Sequence, residues 1–217
     1  MYSFANRNDT VAMDEPFYGY YLKQAKRKHP GHQEIINSME CDWNSVIDLI
    51  QKKSESADVL FVKNMAHHLL EDDLSYLINW TNVLLIRDPK QLISSFHEVI
   101  PNPTMEDVGI KRQWELYREL ENVMVLDSNE VLKDPQKVLS KLCWLIDIPF
   151  SDEMLSWKSG AINADGVWAK HWYKNVHEST GFSKQKTSQR ELPSSCAELY
   201  NEALPYYQTL YSNSIKA

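Results

Sequence analysis

Titratable side chains gather at four places in this chain, each directly after a short apolar run. Thr10–Met13 (TVAM) leads into Asp14-Glu15-Pro16-Phe17, and Asp58–Val62 (DVLFV) into Lys63-Asn64-Met65-Ala66-His67-His68. Asn82–Ile86 (NVLLI) leads into Arg87-Asp88-Pro89-Lys90, and Asn122–Leu126 (NVMVL) into Asp127-Ser128-Asn129-Glu130. Two kinds of chemistry are within reach of these residue types. A carboxylate shielded by aromatic neighbours, as Glu15 is by Phe17 and Tyr18, has a raised pKa and can take a proton as a general base. An arginine fork beside a hydroxyl near a helix N-terminus holds a phosphate. Arg87 leaves its apolar run, and Ser95 lies about two turns into the following helical pattern, on the face shared by Asp88 and Leu92. The plainer reading stands beside both: chains become polar where they leave a core, and Arg87 can simply pair with Asp88.

The apolar runs are β-branched or apolar nearly throughout, the pattern of parallel strands covered on both faces. Helical patterns follow at Trp43–Lys52, Asp73–Trp80, Pro89–Val99, Met105–Leu120, Pro135–Ile146 and Ser194–Tyr211. Asp88-Pro89 and Asp134-Pro135 each read as an N-cap followed by proline at the first helical position, and Thr104 as a third cap. Val138, Leu139, Leu142, Cys143, Leu145 and Ile146 form one apolar helix face. Strand–helix alternation predicts a parallel sheet with right-handed crossovers, and such sheets bind ligands beyond the carboxyl ends of their strands. The four polar clusters stand at those ends.

The segment VLLIRDPKQLISSF resembles the 3'-phosphate site of the sulfotransferases, where an arginine after a strand is followed eight residues later by a serine. Arg87 and Ser95 match that spacing, with Ser94 as the substitute if the register shifts by one. VLDSNEVLKDPQKVLSKLCWLIDIPF resembles the family's strand, acidic residue, DP, helix and L-C-x-x-L-G-I-P-F ending, with Asp147 where the family often has glycine. The similarity runs from Met1 to about Phe182 and is greatest to a subgroup sometimes labelled aminotransferase-like; no lysine here has a context for pyridoxal. The resemblance implies an α/β fold, a parallel-sheet P-loop-type sulfotransferase-like sandwich, formed by residues 1–217 as a single domain. It also implies a function, sulfonate transfer from 3'-phosphoadenosine 5'-phosphosulfate as co-substrate to a hydroxyl or amine acceptor, without a metal.

Family features distribute over this chain unevenly. Lys63 stands where the family often has the lysine that serves the leaving phosphate. The base that many members carry in a Lys-x-His pattern is displaced, because Asn64 and Met65 intervene before His67 and His68. Asp14-Glu15-Pro16-Phe17 resembles the E-P-F of members whose glutamate lies beside the acceptor, so Glu15 ranks first as the base, His67 second and His68 third. Lys170 and Lys174, in WAKHWYKNVHESTGF, resemble the basic segment that closes over the nucleotide. The first strand and the loop around the 5'-phosphosulfate have no counterpart, since Met1–Arg7 resembles the end of the helix that follows that loop. The expected reason is a start placed too late, with a degraded relative as the alternative. Activity is expected to be impaired in this form.

Bulk properties exclude other classes. The net charge is −7, so the clustered cations a nucleic-acid partner requires are missing; the one basic run, Lys23–Lys28, is short. Cys41, Cys143 and Cys196 have neither zinc spacing nor an even count, which fits a reducing compartment, the cytoplasm. No signal peptide and no membrane-length apolar stretch is visible. The acceptor, a small molecule or another group, and the oligomeric state are not encoded legibly. A non-catalytic module binding nucleotide or protein is the runner-up, and a nucleotide kinase, lacking a Walker lysine, the third.

Overall fold

The computed structural model describes residues 1–25, 29–70, 74–98, 100, 102–183 and 191–217, in two compact units. The first unit comprises Met1–Glu71 and Ser151–Phe182, the second Asp72–Phe150 and Ser183–Ala217.

In the first unit β1 (Thr10–Asp14) pairs in parallel with β2 (Val59–Lys63), Thr10 opposite Val59 and Asp14 opposite Lys63. The crossover carries three helices, Tyr18–Gln24, His32–Ser38 and Trp43–Ser54. The sequence pattern shows only the last of them. Tyr18–Gln24 and His32–Ser38 are each seven residues long, too short for a clear 3.6-residue period. Their apolar residues meet in one cluster, where Tyr18, Tyr21, Leu22 and Ile35 pack with Trp168. Of the basic run, Lys26–Lys28 lies outside the described residues.

In the second unit β3 (Val83–Ile86), β4 (Met124–Asp127) and β5 (Ser214–Ile215) form a parallel sheet in that order. Its core gathers Ile86 and Val125 with Ile93, Ile110, Ala203 and Leu210. Each fully buried isoleucine or leucine there contributes about 1.5–3 kcal/mol. The expectation that all strands are covered on both faces fails at β3, where Val83 and Leu85 are exposed, Leu85 by 58%. Gln113 donates to the Leu85 carbonyl at 2.9 Å, which satisfies one backbone acceptor of that strand.

Helix starts follow their caps. Asp88 accepts from the Lys90 and Gln91 amides, Asp134 from Lys137, and Thr104 and Asp107 form a reciprocal capping box. The helix predicted over Met105–Leu120 is two, Met105–Val108 and Ile110–Glu119, because Gly109 between them has φ 71°. The pattern read over Asp73–Trp80 yields a single turn, Ser75–Ile78, and that over Pro89–Val99 yields Pro89–His97; Asp73 and Val99 lie outside the described residues. Leu145, expected on the buried face of Pro135–Leu145, is exposed in the last turn, beside a Trp144 that is 77% exposed.

That last turn also explains a substitution. Asp147 has φ 55°, Ile148 N–H donates to the Cys143 carbonyl at 3.0 Å, and Asp147 N–H to Trp144 at 3.4 Å. This is the six-to-one, five-to-two pattern that usually ends on glycine. Asp147→Gly is expected to raise stability by about 0.5 kcal/mol, as relief of left-handed strain outweighs glycine's added unfolded-state entropy. A urea unfolding midpoint that fell would contradict this.

Candidate active site

The register of β1 and β2 sets Asp14 beside Lys63 at the carboxyl ends of both strands. Glu15 then leaves the strand with φ 46°, a left-handed conformation that costs a non-glycine residue about 1–3 kcal/mol. Its N–H donates to the Lys63 carbonyl at 2.7 Å, and its carbonyl accepts from Tyr18 N–H at 2.9 Å. The chain is thereby turned into helix Tyr18–Gln24 while the Glu15 side chain is directed back at Lys63. Phe17 and Tyr18, both buried, close over it.

Four polar groups meet there. The Lys63 ammonium donates to Glu15 Oε1, to Asp14 Oδ1 at 3.2 Å and to the Tyr173 hydroxyl at 2.6 Å. Tyr173 in turn donates to the Asp14 carboxylate, 2.8 Å from each oxygen. The Asp14 side chain is 0% exposed, Glu15 8% and Lys63 27%. Burial pushes the Glu15 carboxyl up against the opposing pull of Lys63. For Lys63, burial works downward, but the facing carboxylates of Glu15 and Asp14 outweigh it and hold the ammonium above its ordinary value. The result is a carboxylate whose proton affinity exceeds that of a solvated glutamate, adjacent to a cation that stays charged.

The histidines take different positions. His68 is buried and stacks between Tyr18 (4.6 Å between centroids, 10° between planes) and Tyr21 (4.7 Å, 28°). Its Nδ1 is 3.9 Å from Glu15 Oε2, beyond hydrogen-bond length. Burial, followed by the charges of His67, Lys63 and His29, holds its pKa well below the usual value, so the ring is neutral. His67 packs edge-on against Tyr21 at 5.2 Å. Glu15 is thus the candidate base in contact with the lysine, and His68 stands behind it.

Arg87, Ser94 and Ser95 belong to the second unit. Arg87 directly follows β3, and Asp88 spends its carboxylate on the first helical amides. Ser94 is buried and donates to the Lys90 carbonyl at 2.7 Å, within its own helix. Ser95, partly exposed, is the hydroxyl at the predicted spacing. Lys170 is paired with Glu34 at 2.6 Å, both side chains about half exposed, and Lys174 is an exposed residue at the start of helix Lys174–His177. Neither has a contact with the Lys63 cluster among the hydrogen bonds and ion pairs described; Tyr173, between them in sequence, does. Asp127, at the end of β4, accepts from two amides of helix Ser128–Lys133 and from Tyr207, so it is a structural cap.

The family model for the sulfotransferase domain matches residues 1–214. This chain belongs to that family. Two curated relatives of the sulfotransferase domain come from Arabidopsis thaliana. They are branched-chain-amino-acid aminotransferase-like protein 1, 37% identical over 98% of the chain, and protein 2, 32% identical over 97%. The chain spans 39% and 38% of their respective lengths. The resemblance to an aminotransferase-like subgroup agrees with these names. Two solved structures also match, at 16% identity each. They are the sulfotransferase domain of the curacin biosynthetic pathway (TM-score 0.47, 90% of this chain and 78% of that one) and that of a Synechococcus PCC 7002 olefin synthase (0.49, 85% and 73%). Among the described residues, no helix of this sulfotransferase domain is long and apolar enough to cross a membrane.

Two residues of the cluster went unassigned in the sequence. Asp14 directly follows the apolar run Thr10–Met13, which was the available signal for it, while its place opposite Lys63 is set by strand pairing. Tyr173 carried no signal beyond its place in an aromatic-rich segment, 110 residues from Lys63.

Proposed function

We propose that the domain transfers sulfonate from 3'-phosphoadenosine 5'-phosphosulfate to an acceptor hydroxyl or amine. The observation carrying this reading is the buried contact of Glu15 with Lys63, braced by Asp14 and Tyr173. In the proposed reaction the Glu15 carboxylate accepts the acceptor's proton as its oxygen or nitrogen bonds to sulfur. The bond from sulfur to the 5'-phosphate oxygen breaks, and adenosine 3',5'-bisphosphate leaves with the electron pair. Lys63 neutralises charge growing on that oxygen. Arg87 and Ser95 are assigned the 3'-phosphate, and Lys170 and Lys174 the nucleotide. The exposed Lys170–Glu34 pair is worth only about 0–1 kcal/mol and is readily exchanged. His67 and His68 are the second and third candidates for the base. The buried cysteines Cys41, Cys143 and Cys196 support a cytoplasmic setting.

A binding module without turnover is the second reading. It is favoured by the state of Lys63, whose charge is already met by two carboxylates. Incubation with the phosphosulfate and a panel of acceptors separates the two. Acceptor-dependent release of the bisphosphate supports transfer, while nucleotide binding with no release supports the module. In calorimetric titrations of adenosine 3',5'-bisphosphate, Arg87→Ala is expected to weaken binding more than Ser95→Ala. The guanidinium makes up to two charge-assisted hydrogen bonds, about 1.5–3 kcal/mol each, against about 1 kcal/mol for one neutral hydroxyl. Equal losses would overturn that assignment.

A further inference from the structure

Asp165 is a carboxylate used on one side only. Its side chain is 5% exposed. Oδ2 receives the Tyr2 hydroxyl at 2.6 Å, His177 Nε2 at 2.9 Å and the Ile162 amide at 3.2 Å. Oδ1, equally buried, has no hydrogen-bond partner. A buried carboxylate oxygen left without a donor costs about 1–3 kcal/mol or more, so a donor brought to it is favoured.

Asp165 lines a cleft of about 500 Å³ within the first unit, a volume ordinary for a small-molecule site. Pro16, Met39, Val167 and Trp168 supply apolar wall, and Glu40 supplies a second carboxylate. Asp14 is common to this cleft and to the Lys63 cluster. Glu40 accepts from the Cys41 and Asp42 amides through one oxygen, which fixes it in place. Among the described lining residues the cation is Lys53, exposed on helix Trp43–Ser54. The Asp14 side chain is fully buried and its charge is paired with Lys63, which leaves Glu40 and Asp165 set against one exposed lysine and a net negative field. The apolar wall, with an indole in it, suits the body of a cation better than a fully hydrated ion.

We propose that this cleft binds an acceptor bearing a protonated amine on an apolar body, of the aryl or alkyl amino-alcohol class, with Asp165 Oδ1 receiving an ammonium N–H. The ammonium supplies the missing donor, Glu40 adds attraction, and the hydroxyl is left to react. A ligand carboxylate in the same place meets two like charges, Asp165 and Glu40. The acceptor role rests on the transfer reading above; the preference for an amine does not.

The test uses the whole chain and three probes differing at one group: phenylalaninol, its desamino analogue hydrocinnamyl alcohol, and hydrocinnamate. Titration calorimetry near neutral pH is expected to show phenylalaninol binding at least about tenfold tighter than the neutral alcohol, with no measurable binding of the anion. Asp165→Asn is expected to remove most of that preference. Because Asp165 also anchors Tyr2 and His177, Glu40→Gln is the second variant, on an exposed side chain, expected to lower amine affinity about two- to threefold. Equal affinity for the amine and the neutral alcohol, or a preference unmoved by both variants, overturns the proposal. Amine-selective binding with no bisphosphate release on adding the phosphosulfate upholds the ammonium site and overturns the transfer reading. Release that is equal with either alcohol, without amine preference, does the reverse.

Discussion

Lys63→Met is expected to destabilise the domain by about 3–5 kcal/mol at neutral pH, the usual result of removing one partner from a buried ion pair. The wild-type lysine faces Asp14, whose side chain is 0% exposed, and Glu15, 8% exposed. Methionine fills a similar volume but leaves two carboxylates in contact with no cation and one phenol to share. Neither can be hydrated without opening the strand ends. Their remaining escape is protonation, and the Glu15 carboxyl, already raised by burial, rises further once the opposing pull of Lys63 is gone. The sign of the pH dependence follows. A carboxyl with a raised folded-state pKa favours folding below its unfolded value, and that stability is lost as pH rises through the folded value. The penalty is therefore expected to shrink as pH falls toward the ordinary carboxylate range, and to grow toward neutrality. Adding Glu15→Gln to Lys63→Met is expected to restore part of the loss, since only one carboxylate then remains. Urea unfolding of the parent, the two single variants and the double variant at acid and neutral pH measures all of this. A pH-independent penalty, or no coupling in the double variant, would show that Lys63 does not hold the cluster together.

Glu15→Gln is expected to lower kcat for sulfonate transfer by about 10²–10⁴-fold, the range for loss of a positioned general base. The amide keeps the shape and still accepts a hydrogen bond from Lys63, so loss of the proton acceptor dominates over misfolding. The pH profile of the parent supplies a second readout. In the proposed reaction Glu15 acts ionised and Lys63 protonated. Burial raises the Glu15 carboxyl, and the two carboxylates raise the Lys63 ammonium. The acidic limb of kcat/KM is expected above the usual glutamate range, and the alkaline limb above the usual lysine range. In Glu15→Gln the acidic limb is expected to disappear. Its persistence, together with loss of activity in His67→Gln, would move the base to His67.

Stacking His68 between Tyr18 and Tyr21 sets a contrast with the expected ranking of bases. The sequence offers two adjacent histidines, His67 ranked ahead of His68. Packing makes one of them a neutral ring inside an aromatic sandwich, because stacking against two tyrosines excludes the water an imidazolium needs. Lys63 contacts Glu15 directly, and His68 Nδ1 stands 3.9 Å from the other oxygen of that carboxylate.

Local and periodic features were legible in the sequence. The apolar runs at Thr10, Val59, Val83 and Met124 became strands, and Asp88, Thr104 and Asp134 became caps, because pleat, helix period and capping depend on residues a few positions apart. Gly109 could have announced the break in Met105–Leu120, but a glycine inside a helical pattern is compatible with either outcome until its φ is known. Two-residue β5 was invisible, since Ser214 and Ile215 are a strand only through pairing with Val125 and Leu126. The candidate site divides along the same line. Glu15 and Lys63 were marked by their places after apolar runs, whereas Tyr173 reaches Asp14 across 159 residues and Asp165 meets Tyr2 across 163. By itself the sequence determined which residues end strands and begin helices, along with the family pattern they carry. The tertiary structure alone decided which charges face one another, how deeply they are buried and which carboxylate oxygen is left without a donor. Those properties are set by distance and solvent exclusion, which chain order does not encode.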